Sequence, residues 1–149
     1  MKRDYPDRPI VGVGAVIVEQ GRVLVVKRAT EPRRGQWSIP GGAVEIGETL
    51  REALAREVRE ETGLLIEVDD VLEVLDSIVR DRDGRAQYHY VLVDFICRRV
   101  GGELRAGTDA SAARWITANE LRDWEIAEAT QRVIRKALAA TTVVTESAR

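Results

Sequence analysis

GAVEIGETLREALAREVREETGL, residues 42–64, contains a helix whose inner face changes character part-way along. A glycine directly after a helix takes the left-handed position beyond its C-terminus, so Gly63 marks the end. Thr49, followed three residues later by Glu52, reads as a capping box at the start. The helix is therefore expected over residues 50–62. On it, Glu57, Glu60 and Glu61 follow an i, i+3, i+4 spacing, which brings their side chains out on neighbouring positions of one face. The stripe of Glu57 and Glu61 also carries Leu50, Ala53 and Leu54, so a core-lining surface turns acidic half-way along. Anionic groups in the last turns oppose the helix dipole by roughly 0.3–1 kcal/mol each. Such local violations gather at functional sites, and a hard cation that takes oxygen ligands is the simplest compensation for converging carboxylates.

Spacing alone also allows a solvated acidic face, with Glu52, Arg56 and Glu60 as an i, i+4 ladder. The wider pattern favours the site. Gly42, five residues, Glu48, seven residues, Arg56-Glu57, aliphatic Val58, then Glu60-Glu61, Gly63 and aliphatic Leu64 resembles the Nudix box at every specified position. WSIPGG at residues 37–42 is similar to the family's entry to the box, and ARWITANEL at residues 113–121 to its late strand and short helix. The chain thus resembles MutT-like Nudix hydrolases over residues 10–139.

That resemblance implies an α/β (α+β) fold, an α/β/α sandwich around a mixed β-sheet, and Mg²⁺- or Mn²⁺-dependent hydrolysis of a diphosphate joined to a further group. It implies Glu57, Glu60 and Glu61 as metal ligands, helped by the backbone carbonyl near Gly41. Among them Glu57 shares ligation with proton acceptance, and Glu60 belongs with it in the catalytic set. Coupled carboxylates do not allow a single base to be named from sequence. Arg56 resembles the arginine that holds the box together through a loop glutamate, here Glu48, with Gly42 and Gly63 as further structural positions. Asp109, six residues before Trp115, stands where some members carry another acidic group. By the same resemblance Arg28 and Arg34 face the cleft and meet phosphate bidentately. Arg33 is read as a solvated loop residue, and Trp37 and Trp115 as packing residues.

The remaining residues set limits. A chain of 149 residues reads as one domain, with a core over about residues 10–140 and a mobile tail at 141–149. A hydrophobic share of 44%, a charged share of 32% and 4 prolines belong to a globular protein. The net charge of −2 gives no overall basic surface for long nucleic acid; the small-nucleotide partner is what the resemblance implies. Family relatives often pair, so a homodimer stays open. The apolar run at residues 10–18 is too short to span a bilayer and lacks a cleavage pattern, so no membrane association and a cytoplasmic location are expected. Cys97 is the one cysteine; it is read as a buried, inert thiol. Lone His89 is read as a core or cleft-wall residue. Gly12 and Gly14 imitate a dinucleotide fingerprint, but the strand continues through Ile17, and that signal is discarded.

Strands are expected over residues 10–19 and 22–28, joined by Gln20-Gly21 as a hairpin. A polar loop follows at 29–36, then a tight Pro40-Gly41-Gly42 turn. Further strands are expected at 64–68, 71–80, 88–99 and 113–116, and an amphipathic helix at 126–140.

For substrate, YHYVLVDF at residues 88–95 and the short chain resemble small ADP-ribose pyrophosphatases, which makes ADP-ribose or a related nucleotide sugar the leading class. The proline one such subgroup carries beyond the box is absent, with Arg80 near that place, and Asp81 stands where a dinucleoside polyphosphate subgroup has tyrosine. The alternatives are a nucleoside triphosphate pyrophosphohydrolase of the pool-cleansing type, and a ligand-sensing domain without turnover.

Overall fold

The computed structural model describes residues 2–105 and 110–147. Its frame starts with a β-hairpin, β1 (Ile10–Glu19) and β2 (Arg22–Arg28), at the expected boundaries. The turn residues Gln20 and Gly21 both take positive φ, 52° and 75°, as a two-residue hairpin turn requires. β3 (Trp37–Ser38) and β4 (Gly41–Ala43) follow, then α1 (Leu50–Thr62), β5 (Leu64–Arg80), β6 (Ala86–Gly102), β7 (Ala110–Thr117), a 3-10 turn (Ala118–Asp123) and α2 (Glu128–Ser147).

Among the described residues the strands form a seven-stranded mixed sheet with the path β3-β2-β1-β6-β5. β4 adds to β1 and β7 to β2. β1 runs parallel to β6, and the other pairs are antiparallel. The helices cover opposite faces. Ala53, Leu54 and Val58 of α1 pack with Val13, Ile17, Leu24, Phe95 and Cys97, while Val133, Ile134 and Ala137 of α2 pack with Val16, Val23, Val25 and Ile116. The α/β/α layering expected from the sequence is therefore present. No helix among the described residues is long and apolar enough to cross a membrane.

Four local expectations need correction. The Pro40-Gly41-Gly42 segment is not only a turn, because residues 41–43 pair with β1 as strand β4, in register Gly14↔Gly41 and Val13↔Gly42. The two strands expected at 64–68 and 71–80 are one strand, bent by register shifts around Val68 and Val71. The last helix begins at Glu128 and continues to Ser147, beyond the 140 boundary. Its β-branched residues do not stop it, and the Thr141 hydroxyl donates to the Ala137 carbonyl one turn back at 2.9 Å, which satisfies that polar group inside the helix. Finally, only the Thr49 half of the capping box forms, its hydroxyl accepting from the Glu52 N–H at 3.1 Å.

On the α2 side of the sheet lies a buried acid, Asp94 of β6, 6% exposed. Its cross-strand neighbours are Gly14 on β1 and Glu73 on β5. Burial, reinforced by the charge of Glu73, pushes its carboxyl up from 3.8 to about 6. Folding therefore favours the protonated form, so between about pH 4 and pH 6 the native state holds more protons than the unfolded chain and stability falls as pH rises. Asp94→Asn removes that dependence. Urea titrations are expected to show the wild type losing about 2–3 kcal/mol relative to Asp94→Asn on going from about pH 4 to pH 7; parallel pH profiles for the two proteins would contradict it.

Candidate active site

The inner stripe of α1 runs Ala53, Leu54, Glu57, Val58, Glu61, Thr62, all buried. Glu57 is 8% and Glu61 7% exposed, so these two carboxylates are held against the sheet rather than in solvent. Glycine makes room for the first of them. A Cβ on Gly42 would lie 2.6 Å from both Glu57 carboxylate oxygens, and one on Gly41 would strike the Val13 carbonyl. Only a backbone without side chains brings β4 this close to both α1 and β1.

Arg56 fixes the arrangement. Its Nε and Nη2 donate to the two Glu48 oxygens at 2.6 and 2.8 Å, a bidentate pair, and Nη2 also reaches the Ala43 carbonyl at 3.2 Å. Its Nη1 donates to Glu57 at 2.9 Å and to Glu60 at 3.3 Å. One guanidinium thus ties the box loop, the end of β4 and two carboxylates of α1 together. The Glu45 N–H donates to Glu48 as well, at 2.9 Å. Hydrogen bonds from Arg56, and then from that amide, pull the Glu48 carboxyl down to about 2. The same pairing, led by Glu48, raises Arg56 further above its already high value. The Glu48 contribution to stability is present above the usual carboxylate range and is lost as pH falls towards 2.

The three box glutamates do not converge equally. Glu57 and Glu61 point inward, whereas the Glu60 side chain is 51% exposed and held by Arg56. Among the described residues no three His, Cys, Asp or Glu side chains are gathered as a metal would gather them. The guanidinium draws Glu57 and Glu60 towards itself and supplies the counter-charge at that end of the cluster. Across from Glu61 stands Arg28 at the end of β2. Burial disfavours its charge, and the Glu61 carboxylate offsets that penalty. Arg28 Nε donates to the Pro32 carbonyl at 2.7 Å, and its backbone pairs with Gln36 and Gly35, so the same residue closes the loop between β2 and β3.

Of the other candidates, Arg34 is exposed and pairs with Glu31 at 3.9 Å, outside the carboxylate group. Asp109 lies outside the described residues. Cys97 is buried, with its thiol pushed up to about 12 by that burial, so it is held as an unreactive thiol. Trp115 packs in the α1-side core, and Trp37 meets Trp124 edge to face, 4.5 Å between centroids. Arg33 is exposed in the loop between β2 and β3, as its solvated-loop reading expects, and it borders a surface depression of about 300 Å³ with Gln36, Trp124, Glu125, Ile126 and Ala127. Sequence spacing gives no signal for that depression, since its walls meet through a parallel bridge between Trp37 and Ile126. Asp94 was also missed, although an acidic residue inside the apolar run at 91–97 is a visible anomaly.

A conserved-domain model described as "NUDIX domain" matches residues 8–137, across both the carboxylates and their clamp. The chain belongs to the Nudix family. It is 42% identical over 113 residues to an ADP-ribose pyrophosphatase of Methanocaldococcus jannaschii, a match covering 76% of this chain and 64% of that protein. It is also 42% identical over 115 residues to a putative 8-oxo-dGTP diphosphatase 2 of Mycobacterium tuberculosis, covering 74% and 75%. Among solved structures it is similar to a MutT Nudix hydrolase from Burkholderia pseudomallei, with a TM-score of 0.76, 31% identity and coverage of 87% and 98%. The matched region spans less than two thirds of the archaeal relative.

The Nudix box glycine offers a direct check on the packing. Gly42→Ala must displace the Glu57 carboxylate or β4, and overpacking of this kind costs about 1–3 kcal/mol. Chemical denaturation is expected to show that loss, while Gly47→Ala, whose Cβ would meet nothing within 4 Å, is limited to the strain of its positive φ. Equal stability of Gly42→Ala and the wild type would contradict the close approach.

Proposed function

We propose that this Nudix domain is a divalent-metal-dependent pyrophosphohydrolase that cleaves a nucleoside diphosphate joined to another moiety, with ADP-ribose or a related nucleotide sugar as the leading substrate class. The observation that carries the reading is the pair of buried carboxylates, Glu57 and Glu61, set beside side-chain-free backbone at Gly42 and facing Arg28. Two enclosed anions next to a backbone strand are an oxygen-only donor set, which suits Mg²⁺ or Mn²⁺. Glu57, Glu61, Glu60 and the Gly41 carbonyl would hold the ion. When bound, it neutralises charge on the phosphoryl oxygens.

The chain's own groups supply the rest. Arg28, and Arg34 from the neighbouring loop, would pair with phosphate oxygens and hold the diphosphate in line. Arg56 keeps Glu57 turned towards β4, so the carboxylate meets substrate in a fixed orientation. A water oxygen adds to one phosphorus, the bridging P–O bond breaks, and its electron pair leaves on the other phosphate. The water proton passes to a carboxylate, Glu57 in this reading, with Glu60 and Asp109 as the other acidic groups of the catalytic set. Two phosphate monoesters result. The reading places this chemistry in a reducing cytoplasm, which the buried lone thiol of Cys97 supports.

The likeness to the mycobacterial putative 8-oxo-dGTP diphosphatase, at the same 42% identity, supports a second reading in which nucleoside triphosphates are cleaved to monophosphates. The protein with Mg²⁺ is to be tested against ADP-ribose, nucleotide sugars, nucleoside triphosphates and dinucleoside polyphosphates. Highest kcat/KM for ADP-ribose supports the leading class, preference for triphosphates the second, and binding without turnover overturns both. Glu57→Gln and Glu60→Gln are each expected to lower kcat by about 10²–10⁴ with little change in thermal midpoint; near-normal turnover would remove these residues from the mechanism.

A further inference from the structure

The sheet ends on β5, which among the described residues pairs only with β6. A strand in that place presents a row of unpaired N–H and C=O groups, and folds blunt such an edge with lysine, proline, a bulge or a covering segment. The first half of β5 follows that rule. Arg51 reaches the Val68 carbonyl from α1, Lys136 reaches the Leu72 carbonyl from α2, and the strand shifts register around Val71 and Glu73. From Val74 to Arg80 these devices are missing. The run VLDSIVR holds no lysine or proline, and the register shift between Val79 and Arg80 places its extra residue, Gln87, on β6.

The side chains there leave the edge open as well. Val74 is 61% and Ile78 42% exposed, and strand alternation puts both, with Asp76 and Arg80, on the α1 side of the sheet. Val11, Val91 and Asp76 stand in one cross-strand row, so the half-exposed valines of β1 and β6 continue the same surface inward. A contiguous exposed apolar surface beside an unpaired strand edge marks an interaction site. The edge is also held in shape. Arg80 Nη1 donates to the Gly84 carbonyl at 2.9 Å, and Tyr5 ties down the same hairpin, its hydroxyl donating to Asp81 at 2.8 Å and its N–H to the Gln87 carbonyl at 2.6 Å.

The charges name the occupant. Among the described residues the Asp76 side chain makes no hydrogen bond or ion pair, although Arg80 shares its face. Four residues along an extended strand separate the two by roughly 13 Å, too far to pair within one chain. Antiparallel self-pairing needs a two-fold axis through a pair of equivalent residues. An axis at Ile78 sets Ile78 against Ile78 and, on either side of it, Asp76 of one copy against Arg80 of the other. An axis at Asp76 or Glu73 sets like charges face to face. Registers that reach further back run into the shifted stretch that Lys136 and Arg51 already occupy.

We propose that the outer edge of β5 is a homodimer interface, in which residues 76–80 of two copies pair antiparallel about Ile78 and join their sheets into one. About four to six backbone hydrogen bonds form over that overlap, and the two Asp76–Arg80 pairs fix its register. The interface does not depend on the pyrophosphohydrolase reading.

Sedimentation velocity on the full chain over a range of micromolar concentrations tests it through charge reversals. The wild type is expected to dimerise reversibly. Asp76→Arg and Arg80→Asp each turn two attractions into two repulsions and are expected to raise the dimer Kd about tenfold or more. With both reversals in one chain, opposite charges face each other again across the axis, and Kd is expected to return close to the wild-type value. That rescue reports contact between copies. Ile78→Cys adds a check that leaves the charges alone: oxidation is expected to give a disulfide-linked dimer, whereas the wild type, with only the buried Cys97, gives none. A monomeric wild type, single reversals without effect on Kd, a double reversal as weak as the singles, or no cross-link in Ile78→Cys would each overturn the proposal.

Discussion

One guanidinium holds the candidate site in shape. Arg56 sits on α1, but its bonds run to the loop before the helix, to the end of β4 and to two carboxylates of its own helix. Its fork matches both oxygens of Glu48, a geometry that an ammonium on a flexible stem does not reproduce. With the loop fixed, Gly41 and Gly42 are pressed between β1 and α1, and the expected Pro40-Gly41-Gly42 turn runs on into strand β4. The enclosure of Glu57 and Glu61 is a consequence. The clamp acts on Glu57 directly, while Arg28 offsets the charge of Glu61, and both arginines counter the mutual repulsion of the carboxylates and their unfavourable place in the helix dipole.

The second constraint is the division of β1 between two sets of neighbours. Its first half pairs with β4 and its last residues with β2, so the chain between β3 and β4 must cross over near Gly14. The Ala15 N–H donates to the Pro40 carbonyl at 2.8 Å at this crossing. On the α1 side of the crossing lie the carboxylates and Arg28. On the α2 side lies Asp94. The two faces of one glycine-rich junction thus carry acidic groups of opposite state, one set compensated by arginine and the other left unpaired.

Much of this was legible in the sequence because it is governed by short-range rules. The limits of α1 follow from Thr49 and Gly63 and the hairpin from Gln20-Gly21, while the Arg56–Glu48 pair was implied by the resemblance to the Nudix box. What was not legible depends on the third dimension. β4 exists because glycines admit close approach to β1, a property of the partner strand. The unequal burial of Glu57, Glu60 and Glu61 reflects competition by Arg56, which helical spacing alone does not resolve. The exposed pairing of Arg34 with Glu31 is likewise a contact between loop side chains that spacing does not foretell. The depression beside Arg33 joins segments far apart in sequence, and the burial of Asp94 within an apolar strand run depends on its neighbours Gly14 and Glu73 across the sheet.

The central claim is that the enclosed anionic pair on α1 takes up a hard cation together with a diphosphate. It is tested most directly by titrating Mn²⁺ into the wild type and into the Glu57→Gln/Glu61→Gln double variant, each with and without a methylene-bridged, non-hydrolysable diphosphate analogue. The account predicts saturable uptake that tightens with the analogue in the wild type and weakens by about tenfold or more in the variant. Uptake of equal strength in both proteins, or none in the wild type even with the analogue present, would contradict it.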